Sequence, residues 1–419
     1  MGSLSARRYD RQMTDRVTLR RAIGLPGLMC LGVGTMVGAG FYALIGKVAG
    51  LAGQLAPVSM VAAGLVALVN GLAFIELAGR FPVSAGVARY VSEAFGGHWA
   101  PRLAGWLVIA TGIVSAGTLA VATIGFLQDL IVIDSGVGLI LVVTTLGLLA
   151  AWGIGESIAL VATIAVIEVG ALVVVFALNV EYFSAWRPLS GGSLAGAPMI
   201  GLFSGAFLAF YAFIGFEDMV SVVEEVREPR RTMAIGILLS IVITSLIYVL
   251  VSIVAVAGPG PEVLSASATP VAELVTDLGG AAPLVITVVS LLSGINGALV
   301  QLVMASRVSH GMAKQGDAPK WLGRVHSKTR TPVLATASVS GVVLVLALFF
   351  PLTTLARTTS AIILLVFAAV NLSLWLIKGR EVAPPPGVFA IPRWVPLLGF
   401  SSCLAALMME LWVRMTGGL

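Results

Sequence analysis

Beyond its opening Glu156, the apolar stretch "ESIALVATIAVIEVGALVVVFALNV" holds one acid, Glu168. It lies twelve residues beyond Glu156, about 18 Å along a helix rising ~1.5 Å per residue. A run this long crosses a bilayer, so Glu168 falls near the midplane. An acid at that depth costs roughly 2.5–3.5 kcal/mol to insert and faces a cavity or a partner. Burial disfavours the charged form of a carboxyl. Changing water or partners between two conformations would let such a group take up a proton in one and release it in the other. Three roles are open: a proton carrier, a ligand for an ion such as sodium, or a structural acid bonded to a neighbouring helix.

Backbone groups offer a second kind of chemistry. The first apolar run, 22–48, contains "GTMVGAG" from Gly34 to Gly40. Gly34 and Gly38 form a GxxxG, which lets two membrane helices approach closely. The alternative is a broken helix. Gly38, Ala39 and Gly40 carry no bulky side chains, so the backbone there can unwind and present N–H and C=O groups. Unwound backbone at membrane depth is tolerated only where it lines a cavity. The sixth run reads "GLFSGAFLAFYAFIGFEDMVSVVEEVREPRRT". It is apolar up to Gly215 and then turns acidic at Glu217, Asp218, Glu224 and Glu225, which predicts a second break at Ala212 to Gly215. A zwitterion needs donors at one end and acceptors at the other, and two helix breaks supply both.

Other candidates reduce to plainer roles. His98, His310 and His326 fall in loops with no zinc-type spacing, so no metal site is expected. "IGKVAG" lacks the Ser or Thr after Lys47 that a phosphate loop needs. Cys30 and Cys403 lie in apolar runs and read as small buried residues. Glu410 and Arg414 form an i, i+4 pair of structural character. Ser290, Ser293, Asn296 and Gln301 share one span, and polar groups on membrane helices turn inward, so some of them line the pathway.

These residues must be positioned by membrane helices. The chain is 58% hydrophobic and 11% charged, with a mean hydropathy of +1.03, whereas a soluble domain carries roughly a quarter charged residues. The fold class expected is an all-α membrane protein with eleven spans: 22–48, 55–77, 103–128, 136–153, 156–180, 199–225, 233–257, 283–306, 332–350, 357–377 and 395–415. The first run is too long for a cleavable signal and lacks a small-residue cleavage site. Arg7, Arg8, Arg11, Arg16, Arg20 and Arg21 crowd the N-terminal tail, and most other basic residues fall on the same side. The positive-inside rule therefore places the N-terminus in the cytoplasm, and an odd span count places the C-terminus outside. The net charge of +5 is thus a topology signal, not a nucleic-acid signal. Gly258 to Ala282 forms the longest external connection, and Lys378 to Pro392, with "APPP", reads as an extended linker. The broken spans are the first and the sixth, which is the placement of an inverted five-plus-five repeat. The expected organisation is a cytoplasmic tail (1–21), a ten-helix core (22–377, with repeats 22–180 and 199–377), and a linker with an eleventh helix (378–419).

"GVGTMVGAGFYALIGKVAG", "FYAFIGFEDMVSVVEEVREPRRTMAIGI", "ASRVSHGMAKQGDAPKWLGRVHSKTRTPV" and "ELAGRFPVSAG" resemble, in order, motifs of the amino acid–polyamine–organocation transporters. The flavour is closest to their cationic amino acid transporter branch. This chain ends after span eleven where most relatives have a twelfth, and the ten-helix core is unaffected. The resemblance implies that a substrate carboxylate meets the amides of Gly38, Ala39 and Gly40. It implies that the ammonium meets carbonyls of Val37, Tyr211 and Ile214, with Ala212 leaving room for the side chain. Tyr211 stands where relatives place an aromatic that closes over the substrate. Proton-coupled relatives often have a lysine, standing in for a sodium ion, at the place of Glu168.

The function expected is secondary amino acid transport by alternating access across the plasma or inner membrane. It is expected to be proton-coupled, with sodium as the alternative ion, and to need no cofactor. A neutral amino acid is the expected substrate, because a cationic one would want an acid in reach and Glu217 is the near candidate. Cationic amino acids or polyamines, by transport or exchange, are the alternative. An ion channel would need repeated polar rings around a pore, and a membrane receptor would have no coupling chemistry at Glu168. Ser293 and Glu217 are second-line site residues.

Overall fold

Proline punctuates the helix starts of this chain, and the computed structural model describes residues 21–83, 86–153, 158–187, 197–381 and 384–415. The expected tail, 1–21, lies outside the described residues except for Arg21, as does Glu156. In chain order the helices are α1 Leu25–Met36, α2 Ala39–Ala52, α3 Ala56–Arg80, α4 Gly86–Phe95, α5 Trp99–Leu130, α6 Ser135–Trp152, α7 Ile158–Leu178 and α8 Ala197–Ala209. They continue as α9 Pro229–Ala257, α10 Pro261–Ala266, α11 Pro270–Glu273, α12 Ala282–Gln315, α13 Val333–Phe349, α14 Leu352–Arg380 and α15 Trp394–Met415. Proline occupies the first or second position of α1, α3, α9, α10, α11 and α12, where its missing N–H has no intrahelical partner to lose. Asp134 caps α6 by accepting from the amides of Gly136 and Val137 at 2.9 and 3.0 Å.

Among the described residues, eight helical stretches are long and apolar enough to cross a membrane, and Leu25–Met36, Ala162–Leu178 and Val333–Phe349 are shorter apolar helices. No strand occurs among the described residues. The first apolar run is two helices, not one. Several helices outrun their apolar cores: α12 continues to Gln315 and α14 to Arg380. His310 therefore sits on α12 and not in a loop, with its Nδ1 3.2 Å from the carbonyl of Leu322. The last turns of α12 pack on the 3-10 turn Lys320–Gly323, and this contact carries the helix beyond the apolar stretch.

Packing divides into two groups of contacts. Helices α12 and α5 run against each other along much of their length, and α13 packs on α6 and α5. Helix α9 packs on α3 and α1, and α8 packs on α2 and α3. Helix α14 bridges α5 and α15. The connection 258–282 is folded, not loose: α10 and α11 lie on α2, so close that a Cβ on Gly46 would stand 2.1 Å from the carbonyl oxygen of Leu264.

Buried polar groups are matched where helices meet. Glu76, fully buried on α3, accepts from Arg80 Nε at 2.9 Å, Lys378 Nζ at 2.6 Å and the amide of Ile391 at 2.8 Å. Its carboxylate fastens the end of α14 and the linker beyond it, and Arg80 also pairs with Glu381. The proline-rich linker is thus docked against α3 at Ile391. Asn371 Nδ2 and Cys403 Sγ both donate to Asn70 Oδ1, at 2.7 and 3.1 Å, joining α14 and α15 to α3. Both cysteines are free.

Candidate functional site

Two interruptions of helical geometry, one at Val37 and Gly38 and the other at Ile214 and Gly215, face each other. Between α1 and α2, Val37 (φ −77°, ψ 85°) and Gly38 (φ −138°, ψ −169°) are non-helical. The amide of Gly38 donates back to Met36 O at 2.9 Å. Helix α2 starts at Ala39 with no side chain capping it, so the amides of its first turn point into the space ahead of them. In the second place α8 tightens into a 3-10 turn, Phe210–Phe213, passes through Ile214 and Gly215, and resumes as a 3-10 helix, Phe216–Glu225. Gly215 has φ +132°, a conformation that side-chain-bearing residues rarely adopt. A Cβ there would stand 2.6 Å from Thr35 O.

Side chains stitch the two breaks together. Thr35 Oγ1 donates toward Gly215 O at 3.0 Å. The hydroxyl of Tyr248, from α9, lies 2.7 Å from Met36 O and 3.1 Å from Ala212 O. Its ring stacks on Phe41 with centroids 4.1 Å apart. Tyr248 was not legible as a site residue, although a tyrosine deep in a membrane span is itself a signal.

A cavity of about 60 Å³ lies between the breaks. Gly38, Ala39 and Gly40 line one side of it, and Tyr211, Ala212 and Ile214 another. Glu168 enters from α7 and Ser293 from α12, beside Asn296 and Gln301. Of the serines expected on that span, Ser290 instead bonds Ile286 O within its own helix. Val37 is buried and does not line the cavity.

Tyr211 closes the cavity against α5. Its hydroxyl is 2.9 Å from Ser115 Oγ, and its ring edge lies over Gly40. Glu168 is 2% exposed. The hydroxyl of Tyr42, on α2, donates to the main-chain carbonyl of Glu168 at 2.7 Å, which fixes this turn of α7 to the helix that begins at the first break.

Glu217 is placed differently. Its Oε2 accepts from the amide of Gly215 at 2.8 Å, so it completes the second break, and it lines a neighbouring cavity of about 180 Å³. The two cavities meet at Ile214, Asp218 and Gln301. Asp218, one residue beyond the one that sequence pointed to, is thus a second acid on the wall of the central cavity, with Glu168. Thr35 and Ser115 were missed because nothing local marks them, and Asp218 was read only as part of the acidic turn after Gly215. No cluster of His, Cys, Asp or Glu suited to a metal ion occurs among the described residues.

Comparison with known proteins agrees with this architecture. A family model described as amino acid permease matches residues 23–416. An uncharacterized transporter of Mycobacterium tuberculosis is 29% identical over 392 residues, covering 92% of this chain and 85% of the relative. The branched-chain amino acid permease BcaP of Bacillus subtilis is 26% identical over 429 residues, covering 94% and 89%. The cationic amino acid transporter 3, mitochondrial, of Arabidopsis thaliana is 29% identical over 400 residues, covering 88% and 64%.

Proposed function

This chain belongs to the amino acid permease family, and we propose that it imports a small neutral amino acid by proton-coupled alternating access. The reading rests on one observation: two non-helical turns face each other across a cavity that also holds a buried carboxyl. The substrate carboxylate binds the amides at the start of α2, where the helix dipole adds to the unpaired N–H groups. Ala39 and Gly40 are the better placed donors, since Gly38 N–H is turned to Met36 O. The ammonium binds carbonyls of Tyr211 and Ile214, since Val37 lies off the cavity wall. Tyr211 is the gate. Glu168 carries the proton, and the bond from Tyr42 to its main-chain carbonyl holds this turn of α7 against the helix that begins at the first break.

Counting α1 with α2 as one crossing, and α8 with the following 3-10 helices as another, gives eleven crossings. Each five-helix repeat then opens on a broken element. The basic residues support a cytoplasmic N-terminus and an outer C-terminus in the plasma or inner membrane.

The small central cavity supports a neutral side chain. A second reading has its own support: Asp218 lines both cavities, so a cationic side chain extending from the centre would meet an acid. Among the relatives compared are both a branched-chain permease and a cationic amino acid transporter. Uptake by proteoliposomes, with each of the twenty amino acids as competitor and with and without a pH gradient, separates these readings. Competition confined to lysine and arginine would overturn the neutral assignment. Accumulation that follows a sodium gradient and ignores pH would overturn the proton.

A further inference from the structure

A further cavity, apart from the central one and its neighbour, is walled by cations. It measures about 520 Å³ and lies where the far half of α2, the start of α14 and the end of α15 meet. Lys47, Arg357 and Arg414 line it, with the hydroxyls of Thr353 and Thr354, and it shares no lining residue with the central cavity. Lys47 is eight residues along α2 from Ala39, about 12 Å at ~1.5 Å per residue.

The charges do not cancel. Arg357 donates to Glu410 Oε2 at 2.6 Å and to Ser204 Oγ at 2.7 Å. Arg414 donates to the other oxygen of the same carboxylate at 2.8 Å. Lys47 is held by the carbonyl of Ser265. One carboxylate against three cations leaves this region two charges positive. No acid is among the residues that line the cavity. The buried Arg357 is fixed by its two partners, whereas the side chain of Arg414 is 48% exposed. The first turn of α14, uncapped by any side chain, adds its partial positive charge from the same side.

We propose that this cavity binds one oxyanion group, a carboxylate or a phosphate, held by Lys47 and Arg414 with the Thr353 and Thr354 hydroxyls. Arginine and lysine around a partly desolvated cavity form charge-assisted hydrogen bonds with such groups. Two sources share that chemistry. One is a soluble solute that enters the cavity from water. The other is a lipid headgroup, since α15 exposes Leu411, Trp412 and Met415 beside Arg414.

The test uses the full chain in nanodiscs of neutral phosphatidylcholine and reads the melting temperature. In one arm phosphatidylglycerol replaces the neutral lipid stepwise. In the other, acetate or inorganic phosphate is added at constant ionic strength made up with chloride. The wild type is expected to show a saturable rise with at least one probe, and the lipid and soluble arms identify the source. The Lys47→Gln/Arg414→Gln double variant should need about tenfold more of the same probe, in line with losing two partly exposed charges. Its affinity for the transported amino acid at the central cavity should stay unchanged. Arg357 is left in place so that Glu410 keeps a partner. If the double variant does not fold, Lys47→Gln alone, which breaks only a bond to a backbone carbonyl, should still weaken the response severalfold. Equal responses from wild type and variant, or no saturable response to either probe, would overturn the site.

Discussion

The ring of Tyr211 lies so close to Gly40 that a Cβ on the glycine would stand 3.0 Å from Tyr211 Cε1. By contrast, a Cβ on Gly38 would meet only Ser293 Oγ, at an ordinary 3.7 Å. The two glycines of "GAG" therefore answer substitution differently. Gly40→Ala should push the Tyr211 ring aside and weaken amino acid binding about tenfold, and Gly40→Val should abolish it. Gly38→Ala should bind within about twofold of wild type. Ligand-induced thermal shifts on the three purified variants check this. Similar losses at both positions would mean that helix packing, not contact with Tyr211, sets the requirement.

Tyr211→Ala opens the cavity toward α5, because the ring and its bond to Ser115 are both lost. The apparent dissociation constant should rise about tenfold, roughly 1.4 kcal/mol, and turnover should slow. Tyr211→Phe keeps the ring and should retain most of the affinity. Transport kinetics in proteoliposomes decide the matter: an unchanged alanine variant would reduce Tyr211 to packing.

Glu168→Gln mimics the protonated acid without being able to release a proton. Substrate binding and exchange should persist, while accumulation driven by a pH gradient disappears. A purely structural acid predicts lost expression or melting stability instead. Accumulation by the glutamine variant that still follows the gradient would falsify the proton-carrier role.

Gly215→Ala faces two penalties. A positive φ costs a residue with a side chain about 1–3 kcal/mol, and the new methyl would stand 2.6 Å from Thr35 O. The variant should melt at a clearly lower temperature than wild type and lose binding, even though Gly215 has no side chain to offer a ligand. A melting curve that overlays the wild type would show that the second break can relax without cost.

The helices and both breaks were legible because their signals are local. Apolar runs of bilayer length, the small residues of Gly38–Gly40 and the apolar-to-acidic change after Gly215 are all read from neighbours in sequence. Glu168 announced itself as a lone charge in an apolar run, and the structure brings it into the same cavity as both breaks. What sequence missed depends on distant partners. Glu217 was named for a reach toward substrate, yet its carboxylate is turned to the amide two residues before it, while Asp218 reaches the cavity wall. The partner of Glu410 was read as Arg414 alone, because Arg357 is fifty-three residues away. The extent of α12 and α14 beyond their apolar cores depends on tertiary contacts that hydropathy does not see.

Tyr248 puts one hydroxyl between Met36 O and Ala212 O. One proton serves two carbonyls that belong to different halves of the chain, so displacing either break strains the contact with the other. The phenol thus couples the two turns: displacing one alone would give up the shared bond, and a ligand moving either turn would act on the other through Tyr248.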